Sequence, residues 1–98
     1  MKYYLLAIDK SSHNEFLVWW KPNNWGYTTD TREAGIYFED TINENPAYYD
    51  NDECVPIPIQ KIRDLNTIHA AHNNVENLQY LEVMSKYVDH VKGLNIYD

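Results

Sequence analysis

The sequence predicts a single small α+β domain in which a small antiparallel sheet packs with two C-terminal helices. Short apolar runs separated by turn residues fill the N-terminal third, and apolar residues recur every three or four positions after residue 59. The length of 98 residues is sufficient for one hydrophobic core. We therefore expect one domain over residues 1–98, with a β-rich half at 1–38, an acidic loop region at 39–58 and a helical pair at 59–92.

The sheet is predicted from three short apolar runs. Residues 3–8 (YYLLAI) and 15–20 (EFLVWW) flank a polar, turn-like segment, which predicts an N-terminal hairpin, and residues 36–38 (IYF) fit a third strand. Neither hairpin run alternates cleanly, so we expect cover on both faces, at least in part. Trp19 and Trp20 must point to opposite faces, which places one of them in the core.

The later elements follow from prolines and from apolar spacing. Pro46 ends a brief helix at 41–44, and the prolines of residues 55–58 (VPIP) exclude a central strand and favour an extended entry into a helix. Apolar residues every third position predict a helix from Ile59 to about His72. A second apolar stripe predicts another helix over 75–91, with the asparagines at 73 and 74 interrupting or capping it.

Negative charge is concentrated in one quarter of the chain. The formal net charge is −7, and residues 36–60 contain no lysine or arginine. Their acidic residues are Glu39, Asp40, Glu44, Asp50, Asp52 and Glu53. Such a field argues against direct binding to nucleic-acid backbones and predicts a surface matched to a basic partner. A solvated loop that keeps a small protein soluble is the alternative.

No motif of catalysis or of cofactor binding stands out. The three glycines lie far apart, and the single cysteine, Cys54, excludes an internal disulfide and is best explained as a small, partly buried thiol. His69, His72 and Glu76 would have metal-ligand spacing only on one continuous helix, which the asparagines before Glu76 interrupt. We expect no enzyme activity, no metal and no cofactor. Without a signal peptide or a long apolar run, we expect a protein of a reducing cytoplasm.

Aromatic residues supply the remaining functional signal. Tyr48 and Tyr49 lie inside the acidic segment, where they could anchor a protein partner. Trp19, Trp25 and Tyr27 crowd the end of the hairpin and could form a wall on which a small ligand or nucleotide stacks. Most aromatic residues of a small domain, however, serve its core.

Three segments carry a resemblance. Residues 19–23 (WWKPN), 26–30 (GYTTD) and 34–37 (AGIY) resemble a pattern in small uncharacterised proteins encoded by bacteriophages and prophages. The similarity covers about a third of the chain, mainly residues 17–38. It implies a phage-borne accessory protein in a bacterial cytoplasm, and small acidic phage proteins of this kind are similar to inhibitors of host defence, including anti-CRISPR and anti-restriction proteins.

Together these observations predict a non-enzymatic binding protein that inhibits a host nucleic-acid-handling protein. Its carboxylates would occupy the basic side chains that normally hold phosphates, with Tyr48 and Tyr49 as anchors. One alternative is a small-ligand or nucleotide sponge that uses the aromatic wall. The other is a phage structural protein that oligomerises, including a homodimer formed through the 75–91 helix.

Overall fold

The computed structural model describes residues 1–12, 14–67 and 69–86. The chain forms a mixed α+β fold around one central strand, β1 (Lys2–Ala7). One edge of β1 pairs along most of its length with β5 (Cys54–Pro58). The other edge pairs first with β4 (Tyr37–Phe38) and then with β2 (Trp19–Trp20), which in turn pairs with β3 (Tyr27–Thr28). All these pairs are antiparallel.

The predicted N-terminal hairpin and third strand are confirmed. Leu6 of β1 pairs with Trp19, and Tyr3 pairs with Tyr37 of β4. The hairpin connection contains a short helix, α1 (Ile8–Ser11), and Ser11 Oγ accepts a hydrogen bond from the Val18 N–H at 2.8 Å. The connection is therefore longer than a tight turn, but its own side chains fix it.

The proline-rich strand β5 lies at an edge of the sheet, as its composition requires. Pro56 pairs with Leu5 and Pro58 with Tyr3, and among the described strands β5 pairs only with β1. Residues two apart on a strand direct their backbone N–H groups to the same side of that strand. The N–H positions of Pro56 and Pro58 can therefore both face the unpaired outer edge of β5, where no hydrogen-bond donor is needed. The predicted exclusion of a central strand is correct, and the extended entry into a helix is confirmed at Ile59.

The sheet carries a hydrophobic cluster on each face. The larger cluster contains Leu6, Trp19, Ile57 and residues from the C-terminal part of the chain, including Ile62, Leu78 and Leu81. The smaller cluster contains Leu5, Tyr37, Ile42 and Cys54. Leu5 and Leu6 are both fully buried and lie on opposite faces, which is why the hairpin runs do not alternate in hydrophobicity.

The acidic loop region predicted at 39–58 contains more regular structure than the brief helix and the extended entry that were expected within it. It forms α2 (Glu39–Glu44), α3 (Pro46–Tyr49) and then β5, leaving only residues 50–53 as a loop. The brief helix ending before Pro46 is confirmed. Ile42 of α2 is buried against the smaller cluster, and that burial orders a segment whose other residues are mostly polar.

The predicted helix from Ile59 to His72 is also wrong. The helix here, α4, spans Ile59–Arg63, and the chain then forms a second, two-stranded sheet from β6 (Asn66–Thr67) and β7 (Ala70–Ala71). Long-range backbone bonds hold this segment extended: the Leu17 N–H donates to the Ala71 carbonyl and the Asn73 N–H to the Glu15 carbonyl, both at 2.8 Å. Tertiary pairing therefore overrides the three-residue spacing.

A continuous helix over 75–91 is not formed. The helix that forms here, α5, spans Val75–Tyr80, and the Asn74 side chain caps it by accepting from the Asn77 N–H at 2.8 Å. Glu82 takes a left-handed backbone with φ 61°, the Val83 N–H donates to the Leu78 carbonyl, and the Glu82 N–H donates to the Gln79 carbonyl. These bonds form a Schellman motif that ends the helix. The remainder of the predicted helix, from residue 87, lies outside the described residues.

Candidate binding surface

Four aromatic side chains from two distant segments meet on the face of the sheet that carries the smaller cluster. We call Trp20, Tyr27, Tyr48 and Tyr49 the aromatic surface. The Trp20 ring centroid lies 5.6 Å from that of Tyr48, 6.4 Å from Tyr49 and 6.3 Å from Tyr27. Tyr48 and Tyr49 are themselves 4.9 Å apart in an edge-to-face arrangement. The hairpin β2–β3 and helix α3 therefore build one surface.

The four side chains of the aromatic surface differ in how deeply they are buried. Trp20 and Tyr49 are half-buried and pack against the smaller hydrophobic cluster. Tyr27 and Tyr48 keep 47% and 44% of their surface exposed. The two exposed rings are thus held by neighbours that are fixed, an arrangement that keeps aromatic side chains ready for contact at low entropic cost.

Tyr37 fixes the turn from which the hairpin half of the surface extends. Its hydroxyl donates to the Lys21 carbonyl at 2.6 Å and accepts from the Asn24 N–H at 3.2 Å. Asn24 and Asn23 both have positive φ, at 60° and 59°, and so does Gly26 at 100°. Asparagine and glycine are the residue types that best tolerate this left-handed backbone, which is why the turn forms here.

The side chain of Asn51 organises the loop at residues 50–53. Its Nδ2 donates to the carbonyls of Ala47 at 3.0 Å and Tyr48 at 3.1 Å, and its Oδ1 accepts from the N–H groups of Glu53 at 2.8 Å and Cys54 at 3.0 Å. One amide therefore ties the end of α3 to the start of β5. This connection sets the position of Tyr48 and directs the neighbouring carboxylates outward.

All six predicted carboxylates are exposed and come from α2 or from the loop that follows α3. Helical geometry places Asp40 and Glu44 together on the side of α2 opposite the buried Ile42. Glu39 and Asp50 line one shallow groove of about 240 Å³ beside β1 and β5. Because Ile42 and Tyr49 both pack on the smaller cluster, α2 and α3 cover the same face of the sheet.

Two of these carboxylates are paired within the chain. Asp50 accepts from the Lys86 ammonium at 3.2 Å, and Glu39 lies 3.9 Å from the amino group of Met1. Within residues 1–12, 14–67 and 69–86, the other four form no ion pair: these are Asp40, Glu44, Asp52 and Glu53. Asp50 is therefore the least suited of the six to meet a basic partner.

Negative charge reaches the aromatic surface at Tyr27. Burial raises the pKa of the Tyr27 hydroxyl, and the nearby Asp9 and Glu53 carboxylates raise it further. The Lys10 ammonium lies 5.3 Å from the centre of the same ring. Glu53 of the acidic segment and Tyr27 of the hairpin therefore share one local field, with Asp9 as an acidic neighbour that the sequence analysis did not select.

The predicted stacking wall is not formed, because Trp19 is fully buried in the larger cluster. Its ring contacts Tyr4 at a centroid separation of 5.8 Å. Trp25 is 82% exposed and pairs with no other ring in the described parts of the chain. Tyr27 instead contacts Trp20, the residue that the sequence analysis missed. The register is the reason: Trp19 pairs with the core residue Leu6, so Trp20 must lie on the opposite face.

The cysteine and the histidines considered as reactive or metal-binding groups do not form a reactive or metal-binding site among the described residues. Burial raises the pKa of the Cys54 thiol to about 12, with Asp50 and Asp9 adding to the shift, so the thiol stays protonated at neutral pH. His69 and His72 share no helix, since β7 lies between them, and the His72 ring stacks on Phe16 at 4.8 Å. Across the described residues, no three His, Cys, Asp or Glu side chains group as metal ligands.

Two further observations concern the whole described chain. None of its helices has the length and apolar character needed to cross a membrane. The chain matches no protein-family model, no curated protein and no solved structure.

Proposed function

We propose that this chain is a non-enzymatic binding protein that inhibits a host nucleic-acid-handling defence protein through a phosphate-mimicking acidic surface. The main support is the position of Tyr48 and Tyr49, which lie in sequence between two groups of exposed carboxylates and contact Trp20 of the hairpin. The resemblance of residues 17–38 to proteins of bacteriophages and prophages further supports the proposal, and we infer from it a phage-borne accessory role in a bacterial cytoplasm.

The unpaired carboxylates supply the mimicry. Asp40 and Glu44 face outward on α2, and Asp52 and Glu53 follow α3. Carboxylate oxygens accept charge-assisted hydrogen bonds from arginine in a geometry similar to that of phosphate oxygens. A partner whose arginines normally hold a nucleic-acid backbone would therefore bind this surface, with an association rate that falls as salt rises.

The aromatic surface supplies the contact area that carboxylates lack. Exposed charge pairs contribute little net affinity, whereas tyrosine and tryptophan side chains dominate the energy of many protein interfaces. Tyr27 and Tyr48 are the exposed rings, and Trp20 lies between them as a rigid base. We expect Tyr48→Ala to weaken binding more than any single carboxylate substitution does.

Two charge-reversed variants test the role of the carboxylates. Asp52→Lys with Glu53→Lys removes the acidic loop charges without placing a lysine against Lys86, as reversal of Asp50 would. Glu15→Lys with Glu76→Lys is the matched control, because it changes the net charge equally at exposed sites away from α2, α3 and the aromatic surface. The tagged proteins are incubated with bacterial host lysate, and the captured partner is then challenged with a DNA duplex.

We expect the parent and the control to capture the same partner, the reversed variant to lose it, and DNA to displace it. Capture that survives reversal of Asp52 and Glu53 would show that the acidic surface is not the mechanism. If the captured partner binds DNA while it still holds the parent protein, its phosphate-binding surface is not occupied by the parent protein.

Oligomerisation through the apolar stripe of the 75–91 segment has less support. Leu78, Leu81 and Val83 are buried in the larger cluster of the same chain, so a second copy cannot contact them. Val88 and Val91 lie outside the described residues. A homodimer through that segment stays a prediction, which sizing chromatography tests.

A further inference from the structure

A second recess lies at the start of β1, where its lining residue Tyr4 belongs to the face of the sheet opposite the aromatic surface. It is a groove of about 390 Å³ between the first residues of β1, the segment before β4, and α4. Its lining includes Lys2, Tyr4, Ile36, Ile59, Gln60 and Arg63. Lys10 lies beyond the other end of this six-residue strand, roughly 20 Å away at the usual rise per residue.

The apolar part of this groove is exposed to an unusual degree. Ile36 of the lining keeps 53% of its surface accessible, and Phe38, which lies outside the lining but pairs with Lys2 across the strands, keeps 54%. Tyr4 and Ile59 are half-buried and form the apolar lining beside them. Exposed apolar surface next to a recess is typical of ligand sites.

The charge of the groove is opposite to that of the molecule. No aspartate or glutamate lines it, although the protein carries a net charge of −7. Two cationic side chains of its lining, Lys2 and Arg63, form no ion pair with any carboxylate among the described residues, whereas the amino group of Met1, which also belongs to the lining, lies 3.9 Å from Glu39. The Lys2 ammonium instead lies 5.9 Å from the centre of the Phe38 ring.

We propose that this groove binds a small amphipathic carboxylate. The apolar body of the ligand lies against Tyr4, Ile36 and Ile59, and its carboxylate takes hydrogen bonds from Arg63 and Lys2. A guanidinium can bind both carboxylate oxygens at once, and the volume lies in the range of small-molecule sites. The combination of apolar wall and unpaired cations selects for such a ligand over a neutral apolar molecule or a bare inorganic anion.

Titration of the full chain with decanoate, kept below its micelle concentration, tests the assignment by amide chemical shifts. We expect saturable shifts centred on Lys2, Tyr4, Ile36, Gln60 and Arg63. Decanol, which has the same chain without the charge, should bind at least about tenfold more weakly, since a hydrogen bond to a charged group is worth roughly that factor.

Two variants separate the contribution of charge from that of the fold. Arg63→Gln should weaken decanoate binding about tenfold and leave decanol binding unchanged. Lys10→Gln removes the same charge beyond the far end of β1 and should change neither affinity. An unchanged melting temperature of each variant confirms that the fold is intact.

Several results would overturn the assignment. These are equal affinity for decanol and decanoate, an Arg63→Gln variant that binds decanoate as tightly as the parent, shifts centred on the aromatic surface, and an absence of saturable binding. Because the groove and the aromatic surface share no residue, failure of decanoate to bind the groove does not bear on capture of a protein partner.

Discussion

Replacement of Asn51 by alanine should destabilise the protein more than truncation of any of the six carboxylates of the acidic segment. The Asn51 side chain makes four hydrogen bonds to backbone groups, at 2.8 to 3.1 Å. Each such hydrogen bond contributes about 0.5–1.5 kcal/mol net to the free energy of unfolding. Because Asn51 is only half-buried, its solvent-exposed hydrogen bonds contribute toward the lower end of that range. Because one truncation also leaves the Cys54 N–H without its side-chain partner, we expect a total loss of about 2–3 kcal/mol.

Urea denaturation followed by tryptophan fluorescence measures this loss. For a domain of this size the midpoint should fall by about 1–2 M urea, with an unchanged slope. Asn43→Ala is the matched control: Asn43 is exposed on α2, and its side chain makes no hydrogen bond to the described residues, so its midpoint should move little. A midpoint for Asn51→Ala that stays within 0.3 M of the parent, as an order-of-magnitude threshold, would refute the claim that this amide holds α3 to β5.

Other perturbations follow from single contacts. Gly35→Ala places a Cβ 2.7 Å from the Tyr37 ring and within 2.9 Å of backbone atoms that cannot yield, so a loss of about 1–3 kcal/mol is expected by denaturation. Glu82→Gly relieves a left-handed residue at φ 61° and should raise stability by about 0.5–1 kcal/mol, whereas Glu82→Ala should not. Hydrogen bonds from Arg32 lower the pKa of Asp30 to about 2, so the stability from this pair is complete above the ordinary pKa near 4 and is lost as pH falls through about 2. Carboxyl NMR titration measures that midpoint, and Arg32→Gln should return it toward the ordinary value.

Three of the strands, β1, β2 and β4, could be predicted because their signals are local. Residues 3–8, 15–20 and 36–38 are short apolar runs bounded by turn residues. Such runs are typical of strands in a sheet that is covered on both faces. The helix predicted to reach His72 failed for a non-local reason. Ala71 is fully buried and its carbonyl accepts from the Leu17 N–H, a contact between segments more than 50 residues apart that no spacing rule includes.

Some residues of the candidate site could likewise be selected from the sequence, whereas others depend on long-range pairing. Tyr48 and Tyr49 could be selected because they lie inside a run of acidic residues, which is visible in the sequence. Trp20 could not be distinguished from Trp19, since alternation assigns them to opposite faces without stating which face is the core. Only the pairing of Trp19 with Leu6 decides, and that register depends on the whole sheet.

One face of the sheet carries the larger hydrophobic core, and the other carries the surface proposed to bind a partner. Trp19 and Leu6 belong to the larger cluster, whereas Trp20 and Tyr49 pack on the smaller one, and Tyr27 and Tyr48 extend from there into solvent. Truncating an exposed ring removes little buried area, so its effect on folding should stay well below the 3–5 kcal/mol typical of core aromatics. Binding defects from such changes can therefore be attributed to lost contacts. The same truncation at Trp19 would remove the core itself, which explains how adjacent tryptophans can have separate roles.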